Sequence, residues 1–125
     1  MSLKFYRCNR CGNIFMVMKD GGVNPVCCDE SMEKLKANSV DGVGEKHVPV
    51  IEKDDKKVTV KVGAVPHPMV PEHHIEWITV LAGNEILTTN LKPGDKPQAT
   101  FKLTDPKNSI TAYAYCNIHG LWVSK

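Results

Sequence analysis

This sequence has few aromatic residues and a small net charge. Aromatic side chains make up 6% of the 125 residues, and the formal net charge is +2 with histidine neutral. Proteins that bind nucleic acids usually combine a broad basic patch with aromatic stacking platforms, and this composition supplies neither. We therefore expect no nucleic-acid partner.

Long apolar segments are missing as well. The N-terminal stretch MSLKFYRC lacks the apolar core of a secretory signal, and no run approaches the roughly 20 apolar residues of a membrane-spanning helix. We therefore expect a soluble, cytoplasmic protein with no membrane partner. Because a reducing compartment disfavours disulfides, cysteines in such a protein are more often metal ligands or catalytic groups.

No apolar period of 3.6 residues extends over the length of a helix, and internal repeats are absent. Short runs rich in Val, Ile and Thr, separated by turn signals, favour β-strands instead. Residues 1–36 hold two of them, LKFYR and IFMVM, and so short a piece needs a metal or similar cross-link to fold. The polar stretch over 37–46 indicates a linker.

Residues 47–125 contain seven further strand-like runs. They are VPVIEK, KVTVKV, IEWITVLA, EILTTN, QATFKL, ITAYAY and LWVS. This number of short strands predicts an all-β domain, as an immunoglobulin-like sandwich or, alternatively, a small barrel.

The stretches CNRCGN and VCCDE predict a site with four sulfur ligands. The C-x-x-C-G turn places Cys8 and Cys11 on one side of a tight knuckle, and Cys27 with Cys28 would complete a tetrahedral set for iron or zinc. Spacing alone favours neither metal. Because neighbouring side chains diverge, we expect the sulfur–metal–sulfur angle at Cys27 and Cys28 to be opened.

The histidines define a second candidate site. All five fall in three stretches, EKHVPVIE, PHPMVPEHHIEW and YCNIHG, and the last also holds the isolated Cys116. Each histidine alone is more often an ordinary surface or hydrogen-bonded residue, and Cys116 alone a buried core thiol. Proline-flanked loops on a rigid sandwich are, however, where ligands are presented. The candidates are His47, His67, His73 or His74, Cys116 and His119.

Together these motifs resemble the superoxide reductases. EKHVPVIE, the pattern HPM-x-x-x-H-x-I-x-W and YCNIHGLW occur in order, and the C-x-x-C followed by CC resembles the desulforedoxin module of the two-iron members, the desulfoferrodoxin family. The resemblance implies an all-β chain, with a rubredoxin- or desulforedoxin-like metal module followed by an immunoglobulin-like sandwich. It also implies two iron ions per chain. One would be bound by Cys8, Cys11, Cys27 and Cys28, and the other by His47, His67, His73, His119 and the axial thiolate of Cys116.

The same resemblance assigns roles to other residues. The family pattern selects His73 as the ligand and leaves His74 as an exposed neighbour. Lys46 would attract anionic superoxide and assist its first protonation, and Glu45 would close the sixth iron position after oxidation. For this pair, ordinary solvated charge is the alternative.

The implied activity is one-electron reduction of superoxide to hydrogen peroxide, with electrons from an external donor such as rubredoxin, in a homodimer. An alternative is a metal-stabilised electron-transfer protein without superoxide chemistry. A zinc-binding interaction protein would be colourless and free of iron. A superoxide dismutase would evolve dioxygen and need no donor.

Overall fold

The computed structural model describes residues 2–42 and 46–124. The chain divides into two compact units, Met1–Lys36 and Ala37–Lys125. The described residues form strands, turns and loops without any helix, and therefore contain no helix able to span a membrane.

Five short strands make up the first unit. They are β1 (Phe5–Arg7), β2 (Ile14–Met16), β3 (Val26–Cys27), β4 (Glu30–Ser31) and β5 (Glu33–Lys34). Strand β1 lies between β2 and β5 in one antiparallel sheet, and β3 pairs with β4 in a separate hairpin. The runs LKFYR and IFMVM thus contain strands as predicted, whereas the three two-residue strands are too short to leave a periodic signal.

The core of this unit is very small. Among its described residues, the buried apolar side chains are Phe5, Cys8 and Met32. A core of this size offsets little of the conformational entropy lost on ordering 36 residues. The expectation that the unit needs a metal to fold therefore agrees with its packing.

Seven strands make up the second unit. They are β6 (Pro49–Asp54), β7 (Lys57–Val62), β8 (Ile75–Ala82), β9 (Glu85–Asn90), β10 (Gln98–Lys102), β11 (Ile110–Cys116) and β12 (Gly120–Val123). Each of the seven predicted runs contributes one of them. They form a three-stranded sheet in the order β10-β7-β6 and a four-stranded sheet in the order β12-β11-β8-β9, with antiparallel pairing throughout.

The core lies between these two sheets. Strand β7 alternates strictly, so that Val58, Val60 and Val62 are buried while Lys57 and Lys61 are exposed. The facing sheet adds a buried cluster from its two central strands, namely Ile75, Ile78, Val80 and Ala82 of β8 with Ala112, Ala114 and Cys116 of β11. Alternating strands packed around one apolar layer give the predicted all-β, immunoglobulin-like sandwich.

The strand register brings several strand ends to one end of each sheet. Pro49 at the start of β6 pairs with Val62 at the end of β7. In the other sheet, Cys116 at the end of β11 pairs with both Ile75 at the start of β8 and Gly120 at the start of β12. The loops that carry the candidate ligands all leave from these ends.

Candidate metal centres

The first centre begins with a knuckle after β1. The amide of Gly12 donates to the carbonyl of Cys8 (2.9 Å), and the amide of Cys11 donates to the sulfur of Cys8 (3.4 Å). Gly12 has φ +83°, a left-handed conformation that glycine adopts without steric cost. The knuckle predicted from C-x-x-C-G is therefore present, with both thiols on its inner side.

The second pair of cysteines lies on a tight hairpin. Cys27 pairs with Glu30, which leaves Cys28 and Asp29 as a two-residue loop with φ of 53° and 61°. Two successive positive φ values are typical of a type I′ turn. This turn rotates Cys28 so that its sulfur lies 4.0 Å from that of Cys27, although adjacent side chains in an extended strand would diverge.

The four sulfurs fit a single metal ion. They all lie within 4.8 Å of one another, and the Cys11 and Cys27 sulfurs are 3.7 Å apart. Metal–sulfur bonds of about 2.3 Å place the ligands of a tetrahedral site about 3.8 Å apart. These distances far exceed a disulfide bond. The sulfurs of Cys27 and Cys28 are farther apart than those of Cys11 and Cys27, so an ion held by all four would have a wider sulfur–metal–sulfur angle at the first pair.

The pKa values of two of these thiols are shifted in opposite directions. Hydrogen bonds from the main chain of Cys11 and Arg10 lower the pKa of the Cys8 thiol to about 6. Hydrogen bonding to Cys8 and Cys11 raises the pKa of the Cys27 thiol to about 12. One thiolate therefore forms readily and the next resists ionisation, unless a metal cation offsets the accumulated negative charge.

The second centre is assembled from three segments of the sandwich: the one before β6, the β7–β8 connection and the β11–β12 hairpin. His47 precedes β6, His67 follows β7, His73 precedes β8, Cys116 ends β11 and His119 precedes β12. One possible ligand atom from each lies within 4.8 Å of all the others. The structure thus brings together the five residues predicted from sequence, and it leaves His74 out of the group.

The four imidazole rings form a closed four-membered arrangement in which each ring lies next to two others, and we call it the imidazole square. The centroids of neighbouring rings are 4.6 Å apart for His47 and His67 and 4.7 Å apart for His67 and His73. They are 5.1 Å apart for His73 and His119 and 4.8 Å apart for His119 and His47. The diagonal between His47 and His73 is 6.5 Å, longer than every side. The sequence does not indicate this order around the square.

Hydrogen bonding fixes the tautomer of at least one ring. The Nδ1 atom of His67 lies 2.7 Å from the carbonyl oxygen of Pro68. A carbonyl only accepts, so Nδ1 carries the proton and Nε2 keeps the lone pair that a metal needs. At His119 the nitrogen near the sulfur is Nδ1, which lies 3.8 Å from Sγ of Cys116.

Cys116 reaches the centre from the core. It is fully buried and follows Ala112 and Ala114 on the inward face of β11. The register of β11 against β8 shifts between Tyr115 and Cys116, and such bulges re-aim the side chains next to a site. His119, in contrast, is exposed. The group therefore has a buried thiol on one side and an edge that opens to solvent.

Two residues that the sequence did not single out support the imidazoles. The Trp122 ring stacks on His47, with centroids 4.6 Å apart and planes 15° apart, and its Nε1 donates to the carbonyl of His119 (3.2 Å). Oδ1 of Asp41 accepts from the amides of His47 (2.6 Å) and Val48 (3.0 Å). Trp122 lies within the IHGLW motif, whereas nothing in the pattern marks Asp41.

The predicted catalytic pair is only partly visible. Glu45 lies outside the described residues. Lys46 is half-buried directly before His47, and its ammonium donates to the carbonyl of Gly42 (3.2 Å). Gly63 lies against it so closely that a Cβ there would come within 2.8 Å of the Lys46 carbonyl carbon and oxygen. The sequence did not predict this contact.

One expectation about a neighbouring histidine needs correction. His74, expected to be exposed, is half-buried, and its amide donates to Oδ1 of Asn117 (2.9 Å). Trp77 stacks on Tyr115 with centroids 5.6 Å apart. The ring that stacks on an imidazole of the site is Trp122.

The five donor atoms of the second centre also fit one ion. Metal–nitrogen bonds of about 2.1 Å put opposite nitrogens about 4.2 Å apart. The five possible ligand atoms all lie within 4.8 Å of one another. Imidazole and thiolate together suit iron, copper or zinc, and a four-sulfur site suits iron or zinc. The two sites together define a β-sandwich protein with two non-haem metal centres.

Comparison with known proteins identifies the family. Residues 39–125 match the desulfoferrodoxin family, and residues 2–35 match the desulfoferrodoxin N-terminal domain. A desulfoferrodoxin homolog of Methanothermobacter thermautotrophicus is 47% identical over 119 residues, which cover 95% of each chain. The superoxide reductase of Pyrococcus horikoshii is 43% identical over 108 residues, covering 73% of this chain and 94% of that protein. The superoxide reductase from Treponema pallidum has a crystal structure with a TM-score of 0.85 and 33% identity, covering 99% of this chain and 98% of that one.

The chain belongs to the desulfoferrodoxin family. It is an oxidoreductase with two iron ions, one in the four-cysteine site and one in the site of four histidines and a cysteine. The predicted family and cofactors are therefore confirmed.

Proposed function

We propose that this chain is a superoxide reductase and that its histidine–cysteine centre is where the reaction occurs. Ferrous iron held there would supply the one electron that, together with two protons, converts superoxide to hydrogen peroxide. The alternative of an electron carrier would leave the same centre inert toward superoxide. The observation that carries the proposal is the square of four imidazoles around one position, reached by a buried thiol.

The proposed ligands divide into two kinds. Four neutral imidazoles, which suit ferrous iron, would hold the ion together with a thiolate that donates electron density to it. The imidazoles are those of His47, His67, His73 and His119, and the thiolate is that of Cys116. Because Cys116 comes from the core and His119 is exposed, the face away from sulfur is the one that we assign to the substrate.

Lys46 and Glu45 are the proposed catalytic side chains. The cationic Lys46 precedes a ligand, so it raises the local concentration of an anionic substrate and helps to deliver a proton. The contact with Gly42 keeps its ammonium within the same loop. Glu45, next to it in sequence, would close the open iron position after turnover.

The four-cysteine unit is the proposed place of association and electron exchange. Residues 1–36 form the iron module, 37–46 link it, and 47–125 carry the catalytic centre. Cys11 and Cys28 are exposed, which supports electron exchange with an external donor such as rubredoxin. Four exposed apolar side chains of this unit support pairing with a second copy as a homodimer: Phe15, Met18, Val23 and Val26.

We assign the protein to the cytoplasm. Its five cysteines form no disulfide in the described chain, and the proposed ligand roles require that they stay reduced.

Replacement of the proposed axial ligand tests the site. Cys116→Ser keeps the size of a fully buried side chain but removes the thiolate. We expect the oxidised variant to lose the thiolate-to-iron absorption of this centre, while the absorption of the four-cysteine centre remains as an internal reference. A surviving band from the histidine centre would mean that another residue is the axial ligand.

A further inference from the structure

We propose that Asn117 is a positioning residue that sets the place of His73 relative to Cys116. Asn117 follows Cys116 directly in sequence, and its side chain forms hydrogen bonds with the main chain on both sides of His73. Oδ1 accepts from the amide of His74 (2.9 Å), and Nδ2 donates to the carbonyl of Glu72 (3.1 Å). This inference rests on the ligand set proposed above.

The main chain of Asn117 adds a third link. Its amide donates to the carbonyl of His74 (3.2 Å). The turn that carries His73 is otherwise closed on itself, since the main chains of Val70 and His73 exchange hydrogen bonds of 3.0 Å in both directions. Those bonds tie His73 to its own turn, whereas Asn117 ties it to the end of β11, where Cys116 lies.

A carboxamide is the group that this geometry requires. One branch must accept from an amide and the other must donate to a carbonyl, and asparagine has one acceptor oxygen and one donor NH₂ on the same carbon. Aspartate has nearly the same shape but would place a second acceptor against the carbonyl of Glu72. Alanine removes both side-chain bonds and leaves the main-chain bond in place.

Loss of the Asn117 side chain should weaken iron binding more than it destabilises the fold. Partners that orient metal ligands change metal affinity by about 10- to 100-fold when they are removed. Asn117 makes no proposed bond to the ion, so it acts through the position of His73. Loss of its side chain should loosen one corner of the imidazole square and leave the thiolate bound.

The test compares Asn117→Ala, Asn117→Asp and the unsubstituted full chain loaded with iron. The rate at which iron passes from the histidine centre to a chelator should rise about 10- to 100-fold in Asn117→Ala and less in Asn117→Asp. The electron paramagnetic resonance signal of the oxidised centre should change in both variants, because the ligand field reports the imidazole geometry. Iron release and a signal identical to those of the unsubstituted chain would overturn the proposal.

Asn38→Ala is the matched control. Its side-chain amide also donates to a distant carbonyl, that of Leu121 (3.4 Å), but Leu121 is not next to a proposed ligand in sequence. We expect Asn38→Ala to leave iron release and the signal unchanged, and we expect the iron-free forms of Asn38→Ala and Asn117→Ala to unfold at similar temperatures. Equal effects of both variants on iron release would overturn a specific role for Asn117.

His73→Ala tests the proposed ligand set separately from the positioning role of Asn117. If it abolishes iron binding at this centre while Asn117→Ala has no effect, the positioning role is wrong and the ligand set stands. If His73→Ala leaves the iron bound as in the unsubstituted chain, the proposed ligand set and the role of Asn117 are both wrong.

Discussion

His47 and His73 lie at opposite corners of the imidazole square, 6.5 Å apart, and they belong to opposite sheets of the sandwich. His47 leads into β6 of the three-stranded sheet, and His73 precedes β8 of the four-stranded sheet. An ion held by both therefore cross-links the two layers at one end of the core.

The first prediction follows from this cross-link. Removing iron from the histidine centre should lower the thermal unfolding temperature of the sandwich, because the ion binds the native arrangement and not the unfolded chain. At free metal 100 times above the dissociation constant, such binding adds about 2.7 kcal/mol. Calorimetry with and without added ferrous iron measures this. An unfolding temperature indifferent to iron would contradict the cross-link.

The second prediction separates two adjacent histidines. His74→Ala should keep iron and the thiolate-to-iron absorption at this centre, because the His74 ring is outside the group of close ligand atoms. The main-chain amide of His74, not its ring, donates to Oδ1 of Asn117, so this hydrogen bond is retained in the variant. Metal analysis and the visible spectrum of the oxidised protein are the measurements. Loss of this iron in His74→Ala would show that the ligand had been assigned to the wrong residue.

The third prediction concerns Lys46. Lys46→Ala should slow the reaction with superoxide by about tenfold or more at low ionic strength and flatten its salt dependence, because steering of an anion is lost. Iron content should not change. Fast mixing with superoxide over a series of salt concentrations provides the rates. A rate equal to that of the unsubstituted chain at low salt would exclude the steering role.

Lys102→Ala is the control for this charge. Lys102 is exposed on β10 and pairs with Lys57 at the start of β7, whereas the site lies beyond Val62 at its end. The variant removes the same charge from the protein at the far end of the sheet. We expect it to retain a steep salt dependence.

The fourth prediction concerns Gly63. A Cβ at this position would lie 2.8 Å from the carbonyl carbon and oxygen of Lys46 and 2.9 Å from its Cβ. Gly63→Ala must therefore displace Lys46, which should slow the superoxide reaction and destabilise the fold by about 1–3 kcal/mol, as overpacking does. Rates and denaturant unfolding test both effects.

Gly21→Ala is the control for Gly63. Gly21 lies in the first unit, and a Cβ there would meet nothing within 4 Å among the described residues. The variant should react with superoxide at the unchanged rate. If the two alanine variants behave alike, the close approach of Gly63 has no bearing on Lys46.

Much of this architecture could be predicted from local pattern. The alternation in KVTVKV places Val58, Val60 and Val62 in the core, and all seven runs of the second unit form strands. The five residues of the histidine centre were predicted as well, because their motifs are contiguous in sequence and match a known family.

What could not be predicted depends on tertiary contacts or rare backbone conformations. The left-handed φ of Cys28 lacks the usual Asn-Gly or Asp-Gly turn signal, so the hairpin that turns its sulfur toward Cys27 was missed. The stacking of Trp122 on His47 and the grip of Asn117 around His73 join segments that are distant in the chain. Such pairs carry no periodic signal in a single sequence.

Adding one equivalent of superoxide to the reduced protein, with iron, hydrogen peroxide and dioxygen all counted, tests whether the histidine centre reduces superoxide. We expect two irons per chain, a new thiolate-to-ferric absorption from the histidine centre, one peroxide for each superoxide and no dioxygen. Dioxygen released with the peroxide would identify a dismutase. A ferrous centre that superoxide does not oxidise would identify an electron carrier, and either result would contradict the account.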